Sequence, residues 1–178
     1  MEQSLIIVNV FKGIIQKVDD ALFSVLKKHL NYQHGSTDQM LEQLALQSQS
    51  PTMKNERFPM IALFQPFKEK MGGDYYATVK FPKIVIAVNT NATDNTDKRY
   101  AKTFVPVLYP IYEELLNQIR LCPNVVVQNQ DYIPHIKMDN PGSPPPEQKS
   151  KQFNEYVDAI EIYDLELIFS VNNFCKRN

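Results

Sequence analysis

The run Ile84-Val85-Ile86-Ala87-Val88 constrains this chain more than any other segment. β-Branched side chains lose rotamer freedom in a helix and pack well on a pleated surface, so such a run reads as a strand. It lacks the polar alternation of a half-solvated strand, which places it in the middle of a sheet with both faces covered. The other segments must therefore supply a layer on each side.

Helical periodicity supplies candidates. Over residues 5–30, Ile7, Phe11, Ile14, Val18, Leu22 and Val25 recur at steps of three and four. Val10, Ile15, Ala21 and Leu26 widen that stripe, and Lys12, Gln16, Lys17, Asp20, Lys27 and Lys28 take the opposite face. Residues 32–35 read as a connection. Ser36, Thr37 or Asp38 then caps a short helix over 39–47, with Met40, Leu41 and Leu44 on one side. A third helix runs from a cap at Thr96 or Asp97 to about Arg120, striped by Tyr100, Phe104, Val107, Leu108, Ile111, Leu115 and Ile119. Pro106 and Pro110 interrupt it, so a kink at Pro106 or a restart at Pro110 is expected.

The remaining elements read as strands and loops. Residues 59–64 form a short apolar strand, and Gly72-Gly73 within 68–74 marks a turn. Residues 75–90 give one long strand or two around Pro82, ending in a polar loop over 89–96. Val125-Val126-Val127 is a short strand. Residues 131–151 hold five prolines and read as a long loop or arm. Residues 156–171 alternate acidic and apolar side chains as a half-buried strand, with a bulge near Ile162-Tyr163 where the alternation slips. The expected fold is a single α+β domain over 1–178. A long N-terminal helix and a central helix pack on a mostly antiparallel sheet of about four to five strands, with the extended arm attached.

Composition excludes several functions. With 178 residues the chain can bury a core without disulfides or metals. Nineteen basic residues against twenty acidic ones give a net charge of -1, unlike a sequence-specific nucleic-acid binder with its clustered basic surplus. Mean hydropathy is -0.34 and no apolar run approaches 18 residues, so no membrane association is expected. Cys122 and Cys175 lie outside any paired motif and read as ordinary thiols of a reducing compartment. The start, Met1-Glu2-Gln3-Ser4, lacks a basic region, so no signal peptide is expected.

Catalytic motifs are missing from the sequence. His29, His34 and His135 fall in different elements without metal-ligand spacing. No nucleophile elbow and no phosphate-binding glycine loop occurs. The densest carboxylates are Asp158, Glu161, Asp164 and Glu166 on the late strand. They could hold Mg²⁺ in a small metal-dependent nuclease, the alternative reading, but no lysine follows at Glu-x-Lys spacing, and their alternation fits a solvated strand face. No cofactor, metal or catalytic residue is assigned. The nine tyrosines and ten phenylalanines are a better signal, since Tyr75, Tyr76, Phe81, Tyr109, Tyr112, Tyr132, Tyr156 and Tyr163 offer contact area between subunits as well as core.

Three segments carry a resemblance: Phe81-Pro-Lys-Ile-Val-Ile-Ala-Val-Asn-Thr, then Asp97-Lys-Arg-Tyr with Phe104-Val-Pro-Val-Leu-Tyr-Pro-Ile-Tyr-Glu-Glu-Leu, and Tyr156-Val-Asp-Ala-Ile-Glu-Ile-Tyr-Asp-Leu-Glu-Leu. Together they resemble small neck and tail-completion proteins of tailed bacteriophages, the head–tail connector and tail-terminator type. In particular they resemble forms from phages and prophages of Bacteroidetes, including the crAss-like group. The proline-rich 131–151 stretch departs from that pattern. The resemblance implies a virion structural protein without catalysis, made in the host bacterial cytoplasm. Such a protein forms a homo-oligomeric ring, sixfold or twelvefold, that joins adjacent portal, neck or tail proteins. Rings need two different patches on each subunit. The 131–151 arm, the 65–76 hairpin and the 89–97 loop are the expected contact regions, with Tyr75, Tyr76, Tyr132 and Ile133 as apolar anchors and Arg99 and Lys137 as polar partners.

Overall fold

In the computed structural model, residues 2–48, 56–72, 76–126, 132–143 and 156–170 are described. The fold is α+β. In chain order it runs α1 (Glu2–Leu26), β1 (Asn31–Gly35), α2 (Thr37–Ser48), β2 (Met60–Phe64), β3 (Lys68–Gly72) and β4 (Tyr76–Asn89). A helix over 96–121, α3, follows, and then β5 (Val125–Val126), β6 (Ile136–Ser143) and β7 (Val157–Ser170).

The sheet has seven strands in the described residues, more than the four to five expected. Its main path is β1-β2-β4-β7-β5, with β3 added to the first half of β4 and β6 added to the first half of β7. Every pair is antiparallel except β1 with β2. The β-branched run lies in β4, at the centre, between β2 and β7. Both of its faces are covered, as its composition requires. Ile84 and Ile86 join the main core with Ile7, Phe11 and Val18 of α1 and Phe104, Ile111 and Leu115 of α3. Ala87 turns to the other face, where Met40 and Leu44 of α2 cover it together with Met60, Ala62 and Ala159. The layers are thus α1 and α3, the sheet, then α2.

β4 and β7 share one irregularity. Val79 and Phe81 point into the main core, and so do Ile84 and Ile86, so the inward parity switches between Phe81 and Ile84. On β7 it switches between Ile162 and Leu165. The register does not slip: Phe81 faces Leu165 and Lys83 faces Tyr163, while Pro82 and Asp164 form no ladder pair between them. Proline lacks the N–H that the ladder needs, and Asp164 takes a left-handed φ of 55°. Both strands therefore turn over at one matched point. The slip expected at Ile162-Tyr163 is real. It is a joint turn centred on Asp164, not an extra residue in one strand.

Helix boundaries follow local chemistry. α1 ends at Leu26, earlier than residue 30, because Lys27 adopts a φ of 57°. Asp19, a buried acid, then fixes the reversal, accepting from the Leu30 N–H at 2.8 Å and lying 2.7 Å from His29 Nδ1. Val25 and Ala21 fall on the exposed side of α1, not in its apolar stripe. Residues 31–35 are a strand, not a connection. Ser36 caps α2 through a reciprocal pair: its Oγ accepts from the Gln39 N–H, and Gln39 Oε1 accepts from the Ser36 N–H. Asn95, not Thr96 or Asp97, caps α3, accepting from the Lys98 N–H at 3.0 Å.

The two prolines of α3 do not break it, and α-helical geometry resumes with Pro110 in its first turn, close to the expected restart. The helix is α-helical over Thr96–Arg99, π-helical over Tyr100–Leu108 and α-helical again over Tyr109–Leu121. In the widened turns the Tyr109 N–H bonds to the Phe104 carbonyl, five residues back. A wider spiral moves the preceding carbonyl away from the proline ring, so Pro106 fits inside it, and Pro110 opens the final α-helical stretch.

The reading of 131–151 as a loop or arm needs correction over 136–143. That stretch is strand β6, paired with β7 from Ile136 opposite Tyr163 to Ser143 opposite Val157, with a register shift between Asn140 and Ser143. Ile136, Lys137, Met138 and Asp139 alternate apolar and charged, and the flanking prolines mask that strand signal. Residues 144–151 lie outside the described residues, as does Cys175. Residues 68–72 and 76–80 do form the expected hairpin.

Candidate functional site

The late strand's first acid is the centre of a buried polar hub. Asp158 is 0% exposed. Its Oδ1 accepts from Arg99 NH1 at 3.1 Å and from the Gly142 N–H at 2.7 Å, and its Oδ2 lies 2.6 Å from Thr103 Oγ1. The same threonine hydroxyl is 2.6 Å from the Arg99 carbonyl, so its single proton is shared between two acceptors. Arg99 is 6% exposed and donates to the carbonyls of Asp94, Asn91 and Ala92 as well as to Thr90 Oγ1. One guanidinium thus ties the 90–95 loop, α3, β6 and β7 together. Gly142 sits against it with a φ of +66°, and a Cβ there would lie 2.8 Å from Arg99 Cζ.

A second cluster lies where α3 crosses β6. Tyr109 Oη donates to Asp139 Oδ2 at 2.7 Å, and Tyr100 Oη does so at 3.4 Å. Lys137 Nζ is 2.5 Å from Asp139 Oδ1 and lies over the rings of Tyr109 and Tyr112, at 4.7 and 5.4 Å from their centres. Burial and the Asp139 carboxylate push the Tyr109 hydroxyl up. Burial alone would raise Asp139, but the donors Lys137 and Tyr109 outweigh it and hold the carboxyl below its usual range. Tyr112 Oη lies 2.6 Å from His135 Nε2, whose Nδ1 is 2.6 Å from the Ile133 carbonyl. That carbonyl accepts the Nδ1 proton, leaving Nε2 to accept from the tyrosine.

Glu161 anchors a third group on the opposite face. It pairs with Lys83 at 3.0 Å and accepts from the Tyr163 hydroxyl, while Lys83 lies over the rings of Phe64 and Tyr163. Burial opposes the Glu161 charge, yet Tyr163 and Lys83 prevail and lower its pKa. A cleft of about 550 Å³ opens at the β1 edge between the ends of α1 and α2, lined by Lys28, His29, Asn31, Gln47, Glu56 and Phe58 among others.

These contacts sort the expected interaction residues. Arg99 is corrected from surface partner to buried hub, because its guanidinium is spent on internal acceptors. Ile133 is corrected from exposed anchor to core residue, packed in the main cluster. Tyr132 is exposed, and Lys137 is partly exposed but engaged by Asp139. Tyr76 begins β4, and Tyr75 lies outside the described residues. Two residues not singled out, Ile136 and Met138, are each more than half exposed on β6, four and six residues after Tyr132 in the chain. Among the described residues no group of three or more His, Cys, Asp or Glu could hold a metal, and no helix is long and apolar enough to cross a membrane. No family model matches the chain, and no curated protein or solved structure does so either.

Proposed function

We propose that this chain is a structural subunit of a tailed-phage neck or tail, of the connector or tail-terminator type, that assembles into a homo-oligomeric ring and joins adjacent virion parts. Strand β6 carries the reading. Among the described residues its one strand partner is β7, and Ile136 and Met138 are exposed on it. An edge strand with exposed apolar side chains is a template for another chain, and β6 lies within the 131–151 stretch expected to make contacts.

The alternative, a metal-dependent nuclease on the late strand, fits the geometry less well. Asp158 already accepts from Arg99 and Gly142, and Glu161 from Lys83 and Tyr163. A cation would have to displace those donors. Negative-stain electron microscopy of the purified protein tests the assembly reading, with closed rings of cyclic symmetry as the expected outcome. Ring-free fields together with Mg²⁺-dependent cleavage of DNA would replace it with the enzyme.

A further inference from the structure

A ring closes only if each subunit presents two different patches that fit one another. α1 and α2 lie on opposite faces of the sheet, so their solvent sides point away from each other. The outer side of α1 is basic: Lys12 and Lys17 are exposed in mid-helix, Lys27 and Lys28 follow its end, and Asp20 is the acid among them, already bonded to Gln16. Among the described residues no carboxylate pairs with any of those four lysines.

The outer side of α2 has the opposite sign. Asp38 and Glu42 are exposed four residues apart, with no basic residue anywhere in the helix, and Leu46 continues the same line at 59% exposure. Two acids at that spacing repel each other on an isolated helix. A lysine brought from outside turns the repulsion into attraction. On α1, Lys12, Gln16 and Phe23 share one line and Lys17 lies on the other flank of the exposed side, so this face likewise sets an exposed apolar side chain among its charges.

We infer that the outer face of α1 on one copy docks on the outer face of α2 on the next, head to tail, through this charge complementarity. The inference rests on the ring reading and supplies its self-contact, leaving β6 free for the neighbouring virion protein. The two patches face opposite ways on one subunit, so the contact propagates from copy to copy instead of ending at a dimer.

Charge reversal tests the pairing. The variants are Lys12→Glu with Lys17→Glu, Asp38→Lys with Glu42→Lys, and all four together, each checked for native circular dichroism and read by analytical ultracentrifugation beside the wild type. Each double reversal is expected to raise the half-assembly concentration by about tenfold or more, and the fourfold variant to restore it. A wild-type ring that survives both double reversals, or that the fourfold variant fails to restore, overturns this interface and leaves the ring reading standing. A wild type that never assembles overturns both.

Discussion

Asp158 decides most at the scale of single residues. A buried ion pair that loses one partner leaves the other charge without compensation, at a cost of about 3–5 kcal/mol. Asp158→Ala is therefore expected to lower the unfolding free energy by that order, and Arg99→Met by a similar amount, both read from urea denaturation. Asp158→Asn keeps the shape and one acceptor and should lose less. Gly142→Ala meets two obstacles, a left-handed φ and the Arg99 guanidinium 2.8 Å away, and should cost about 2 kcal/mol or more in the same assay. The carboxylates add a pH signature. Glu161 and Asp139 both titrate below their ordinary values in the folded chain. Each therefore contributes stability in full above the ordinary carboxylate value of 4.5 or 3.8, and loses it as pH falls through the depressed one. Melting temperature followed from pH 6 to about pH 2.5 should fall less steeply below about pH 4.5 in Glu161→Gln than in the wild type. Equal slopes would mean that Lys83 and Tyr163 do not hold the charge.

At the scale of elements, the joint turn of β4 and β7 is the feature most open to test. Asp164 holds a left-handed φ that glycine adopts freely and a β-branched side chain resists. Asp164→Val should destabilise by about 1–2 kcal/mol, while Asp164→Gly should fall within about 0.5 kcal/mol of the wild type, because the relieved backbone offsets the lost exposed pair with Lys80. Equal effects of the two would place the turn elsewhere. Much of this architecture was legible beforehand. The β-branched run announced a strand covered on both faces, and the stripes of α1 and α3 announced the layer that covers one of them. Three things were hidden for identifiable reasons. β6 was masked by prolines, although proline is tolerated at the edge of a sheet. The continuity of α3 was hidden because the rule against internal proline assumes α-helical turns, and this helix widens to π geometry. β1 was hidden because Tyr32-Gln33-His34 has no apolar pattern, and it is a strand only because β2 lies beside it. The hub was illegible for a different reason: Arg99 and Asp158 are 59 residues apart, and nothing in one sequence links them.

The molecule as a whole is a layered sheet, with exposed lysines on the outer side of α1, exposed acids on the outer side of α2 and β6 added along part of β7. That arrangement suits a subunit that repeats. The acidic late strand, the most conspicuous carboxylate run in the sequence, has its first acids spent on internal donors. Native mass spectrometry across a concentration series puts self-assembly into a ring to a direct test. The expected spectrum is one discrete species at six or twelve times the 20.6 kDa chain mass, giving way to monomer only on dilution. A spectrum of 20.6 kDa monomer at every concentration would contradict it.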